Sequence, residues 1–214
     1  MKLNIPAAFF AIGASLLLCS CGSRPPVVKS SRDIQRLPSN EDSVRARGLS
    51  DNEIAALARL RKLRVLDFSG GHAVAHAPLT DEGLARLVEI DLPQLEILTF
   101  GYSTNLTDNG LVHIGRMHTV KWLSFMACPN VTDRGLPHLL AMKNLTGLDL
   151  RGCSGISDRG LEILATKTNW QTILLGGCTN VTPAGVSRLQ AALPKARVEK
   201  NEQEWSHLQR PRPN

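Results

Sequence analysis

The chain has 214 residues, with 25 Lys and Arg against 19 Asp and Glu, a formal net charge of +6. The excess is uneven: residues 22–48 hold six cationic against three anionic side chains, while residues 49–200 hold 16 against 14. A nearly neutral body with a single tyrosine excludes a nucleic-acid surface, which needs a basic face. The length suits one domain with its own core.

The first element in chain order is an export signal, residues 1–20. Lys2 supplies the positive start, and Ala7–Leu18 is an apolar run of 12 residues, too short to span a bilayer and of the length of a signal core. The stretch Leu18-Cys19-Ser20-Cys21-Gly22 resembles a bacterial lipoprotein signal. Cys21 fits that pattern because small Ser20 precedes it, whereas Cys19 follows bulky Leu18. The resemblance implies lipid on Cys21, which anchors a protein without spanning the membrane. Gly22 in place of aspartate implies sorting to the outer membrane or cell surface. A plain secretory signal cut nearby is the alternative. Residues 21–48 are polar, contain proline and keep no periodicity, and so are expected to form a flexible lipid-anchored linker.

From residue 49 the chain repeats. Units begin at Leu49, Leu79, Leu106, Val131, Ile156 and Val181, spaced 30, 27, 25, 25 and 25 residues apart. In each of the last full units, alternate apolar residues predict a short strand with one buried face: Val120, Leu123 and Phe125; Leu145, Leu148 and Leu150; Trp170, Ile173 and Leu175. The other half of the unit opens a helix. Thr80, Thr107, Thr132, Ser157 and Thr182 stand where an N-cap hydroxyl takes an orphan backbone N–H. Asp follows in every case but the last, where Pro183 also suits the first helical turn. Ser50 and Glu53 have the spacing of a capping box. Gly83, Gly110, Gly135, Gly160 and Gly185 recur at the third helical position, which predicts close approach of backbone to a neighbouring coil.

The motif L-x-x-L-x-L-x-x-C-x-x-[IV]-[ST]-D-x-G-L over residues 49–200 resembles the leucine-rich repeats, and specifically their cysteine-containing subfamily. That subfamily also supplies the recognition domain of F-box ubiquitin-ligase adaptors. The resemblance implies an α/β solenoid with short parallel strands on its concave face and helices on its convex face. Five repeats and a partial C-terminal repeat (LPKARVEKN) make the domain, and residues 201–214 form a polar tail in which Trp205 reads as a cap-packing residue. Gly71 and Ser103 stand where cysteine is expected, and no segment is long enough for an F-box. A fold and a binding style therefore carry over; ubiquitin ligation does not.

The thiols Cys128, Cys153 and Cys178 lie 25 residues apart, in one column of the stack. Three equivalent thiols cannot all pair, and a linear column does not surround a tetrahedral metal. The subfamily implies that each is buried where its strand turns, satisfying nearby loop backbone. His72 and His76 in the insertion of the first repeat read as an ordinary polar loop, and His113 and His138 as the partly exposed convex face. No phosphate loop, H-E-x-x-H or G-x-S-x-G is present, so no enzyme, cofactor or metal is expected.

The surface expected to act is the concave sheet. Its columns read Val65, Ile97, Trp122, Gly147, Thr172; then Asp67, Thr99, Ser124, Asp149, Leu174; then Ser69, Gly101, Met126, Arg151, Gly176. Ile97, Trp122 and Met126 are expected to form an exposed apolar cluster, with Tyr102 nearby and Asp149 and Arg151 at one side, the make-up of a protein-binding hot spot. Five or six strands give a sheet only ~25 Å across, sized for a small domain or peptide. The reading is a monomeric, non-enzymatic protein-binding scaffold in the cell envelope. The alternatives are a structural envelope lipoprotein without a discrete ligand and, after it, a substrate-recognition module resembling that of ubiquitin-ligase adaptors.

Overall fold

The computed structural model describes residues 24–70 and 79–202. Eight short strands pair in strict chain order, all parallel: β1 (Val27–Val28), β2 (Ser43–Ala46), β3 (Val65–Asp67), β4 (Ile97–Thr99), β5 (Trp122–Ser124), β6 (Gly147–Asp149), β7 (Thr172–Leu174) and β8 (Arg197–Glu199). On the convex side run α1 (Ser31–Arg36), a 3-10 helix (Asp51–Arg59), α2 (Asp81–Val88), α3 (Asp108–Ile114), α4 (Leu136–Leu140), α5 (Asp158–Ala165) and α6 (Pro183–Ala192). This is a leucine-rich repeat solenoid. The register keeps equivalent residues side by side, as in Leu66, Leu98, Leu123, Leu148 and Ile173.

The core is a stack of identical layers rather than one jigsaw. Each of those strand residues is fully buried, and Phe68, Phe100 and Phe125 stack with ring centroids 5.7 and 5.5 Å apart. Such offset aromatic pairs add to the burial of their own surface.

The expected linker is a correction. Residues 24–48 form the first coils of the solenoid: β1 pairs with β2 through Val27 and Arg45, and Val28, Ile34 and Val44 are buried in the common core. Ser30 and Asp33 close a capping box, with the Asp33 carboxylate accepting from the backbone of Lys29 and Ser30. The first strand is only two residues long and one coil side is short, so a period cannot show in the sequence. The partial C-terminal repeat does add a strand, β8. Eight strands at ~4.8 Å make a sheet about 34 Å long, larger than expected from five or six.

The threonine–aspartate–glycine pattern is explained by contacts between coils. Asp81 accepts from Thr107 N at 2.9 Å and from its hydroxyl at 2.6 Å. Asp51, Asp108, Asp133 and Asp158 do the same for Thr80, Thr132, Ser157 and Thr182. Each aspartate therefore ties its coil to the N-cap of the next. The recurrent glycine leaves room for that carboxylate: a Cβ on Gly160 would lie 2.2 Å from Asp133 Oδ1. Pro183 replaces aspartate in α6, and no further N-cap follows it among the described residues. One helix departs from the pattern. α4 begins at Leu136, three residues later than the others, because Pro137 lacks the N–H that would close its first turn.

Candidate functional site

Two sets of side chains come together at the ends of the strands: the thiol column beneath the strand-to-helix turns, and the concave columns above the sheet. The thiols Cys128, Cys153 and Cys178 are all free and buried. Each Sγ donates to a carbonyl of the preceding coil: Cys128 to Phe100 O at 3.1 Å, Cys153 to Phe125 O at 3.0 Å, Cys178 to Leu150 O at 3.0 Å. Burial pushes the Cys128 and Cys178 thiols up to about 12, and Cys153 is raised well above its ordinary value by the same cause. Such thiols stay protonated near neutral pH, and the thiolate is the nucleophilic form. Ser103 stands in the same column, and its shorter side chain finds no hydrogen-bond partner.

The concave face is closed where exposure was expected. Trp122 is only 5% exposed and Met126 9%, while Ile97 is half-buried. The reason lies in the coils on either side. The Trp122 ring covers Gly147, so that a Cβ there would lie 2.1 Å from its Cε3, and Met126 Cε reaches within 3.5 Å of the equivalent position on Gly101. Glycines in these columns let large neighbours lie flat across them. Glycine beside tryptophan in adjacent coils was the sequence signal for this closure.

Asp149 and Arg151 are also buried, as an ion pair. Arg151 Nε donates to Asp149 Oδ1 at 2.9 Å and Nη2 to Oδ2 at 2.8 Å, with side chains 4% and 0% exposed. Ser124 Oγ adds a bond to Asp149 Oδ2 at 3.3 Å. On the two preceding coils of the same column, Thr99 Oγ1 donates to Asp67 Oδ1 at 2.6 Å, and Ser69 N donates to the same oxygen at 2.8 Å. The middle of the face is thus a rigid polar network rather than an apolar patch.

Tyr102 is the exception. It has φ 64° and Ala127 has φ 56°, at turn positions where the next two coils use Gly152 and Gly177 at 74° and 75°. A bulky residue in the left-handed region is a genuine outlier and carries strain. The strain is held by the ladder, which continues past the strands: Tyr102 N donates to Met126 O at 2.7 Å and Gly152 N to Gly176 O at 2.8 Å. Tyr102 is half-buried, and its phenol is raised above its ordinary value mainly by burial. The Arg151 charge opposes that shift and the Asp149 charge adds to it. Tyr102 thus sits at the turn end of the concave columns, within the field of the Asp149–Arg151 pair.

The convex histidines lie as expected, His113 half-buried in α3 and His138 exposed in α4. Among the described residues no group of three His, Cys, Asp or Glu is placed to hold a metal. Cys21, His72, His76 and Trp205 lie outside the described residues.

No family model and no curated protein matches the chain. Solved structures do. The crystal structure of the Rad7 and Elc1 complex in yeast is 19% identical with a TM-score of 0.55, over 75% of this chain and 41% of that chain. An internalin C2 from Listeria monocytogenes is 20% identical with a TM-score of 0.47, over 74% of this chain and 60% of that one. The chain thus spans less than half the length of the yeast chain it resembles. At this identity the likeness to the yeast structure shows the fold alone.

Proposed function

We propose that the solenoid is a non-enzymatic protein-binding scaffold, anchored in the cell envelope through lipid on Cys21, with its contact surface at the Tyr102 rim of the concave face. The observation that carries this reading is Tyr102 itself, a strained aromatic at a turn where neighbouring coils use alanine or glycine. Strain of this kind persists where the surroundings over-determine it, and it clusters at binding sites. Half-open Ile97 extends the contact along the sheet, while the Asp149–Arg151 pair and the Trp122 ring hold the rim rigid, which lowers the ordering cost of association. The buried, carbonyl-bonded thiols support placement in the cysteine-containing subfamily.

A photo-crosslinking residue at position 102, introduced in the native host, is expected to give a discrete adduct. The same residue at Val112, exposed on the convex α3, is expected to give none. Adducts of the same size from both positions, or from neither, contradict the rim as the contact surface.

A further inference from the structure

Because residues 24–48 are folded, the body of the protein begins almost at the proposed anchor, and the following inference rests on that anchor. A free linker of the 27 residues 22–48 would reach about 90 Å from the membrane, but Cys21 is only six residues from β1, at most about 20 Å. The first coil therefore cannot leave the bilayer surface. Its chemistry suits that place. Arg24, Lys29, Arg32 and Arg36 are all exposed on it, and the one carboxylate of α1, Asp33, is turned back into its capping box. β1 has an unpaired edge among the described residues, and Val27 on it is 42% exposed, one of two large apolar side chains so open among the described residues.

We infer that the first coil, Arg24 to Arg36, is a docking surface for anionic phospholipid headgroups, so that the solenoid stands end-on at the membrane with its concave face open to the side. Each cation held at such a surface strengthens binding about fivefold, so four give a preference of about several hundredfold for an anionic bilayer. The occupant is the bilayer rather than an acidic protein because chain length forces proximity to lipid before any partner arrives.

The test uses the full-length protein reconstituted in phosphatidylcholine vesicles with and without phosphatidylglycerol. A dye is placed on Gln35→Cys in the first coil or on Ala191→Cys in α6, and a quencher is carried on the lipid headgroups. The buried native thiols do not compete for the dye. Strong quenching at position 35 and weak quenching at 191 is expected with phosphatidylglycerol. The contrast should shrink in high salt, and in the triple variant Lys29→Glu, Arg32→Glu, Arg36→Glu. Equal quenching at the two positions overturns the inference, as does a contrast that neither salt nor the triple variant reduces. Incorporation of labelled fatty acid, abolished by Cys21→Ser, reads the anchor by itself, so failure of the anchor and failure of the docking are told apart.

Discussion

Replacing Arg151 by methionine is expected to destabilise the domain by about 3–5 kcal/mol, the usual cost of leaving one partner of a buried ion pair uncompensated. Methionine keeps most of the stem volume, so the loss is electrostatic rather than a cavity. Asp149 would keep the Ser124 hydroxyl at 3.3 Å and the backbone N–H of residue 151 at 3.1 Å, neither of which carries a charge. The double variant Asp149→Leu, Arg151→Met removes both charges and should recover most of the loss, since well-packed apolar replacements of buried pairs are often neutral. Urea unfolding read as a shift of midpoint at constant slope measures both variants. A loss under about 1 kcal/mol for Arg151→Met would place the pair in contact with solvent and remove the rigid support proposed for the rim.

Gly160→Ala tests the other recurring device, and here even the sign is informative. In a solvated helix this change stabilises by about 1 kcal/mol. In α5 the new methyl would lie 2.2 Å from Asp133 Oδ1 and 3.0 Å from Leu136 Cδ1. Either the carboxylate swings away and abandons its bond to Ser157 N at 2.9 Å, or the coils part. A destabilisation of about 2–3 kcal/mol is expected from overpacking together with loss of charge-assisted hydrogen bonds. Asp133→Ala removes the clashing atom as well as the bonds. The double variant should therefore cost clearly less than the sum of the singles, the signature of groups in direct contact. Additive losses would mean that the glycine and the aspartate serve separate purposes.

These two devices also show what was legible in the sequence and what was not. The solenoid could be read because every coil repeats the same local chemistry: the strand leucines, the N-cap hydroxyl and the glycine sit at fixed spacing. The partner of that glycine could not be read, because one repeat taken alone does not show that its aspartate bonds the cap of the next. The first coils were missed for the opposite reason. A two-residue strand and a six-residue helix bury too few apolar residues to reveal a period, and the polar side chains that dominate residues 24–48 point outward. The candidate site residues were found in the right columns, but their exposure depends on neighbours across the sheet. Trp122 is covered because it lies on Gly147, and Asp149 is buried because Arg151 folds back onto it two residues later. The strain at Tyr102 is a property of the turn, visible only once its φ is known.

The strain at Tyr102 also sets the most direct test of the rim as a binding surface. Tyr102→Gly places the residue that tolerates φ 64° at a turn where two later coils, at Gly152 and Gly177, already have glycine. Relief of backbone strain then offsets the lost ring burial, and stability is expected to change by less than about 1 kcal/mol. Partner capture, measured as the affinity of the purified protein for the species crosslinked at position 102, is expected to fall at least about tenfold, as for loss of an aromatic anchor. Unchanged affinity with unchanged stability would contradict the account.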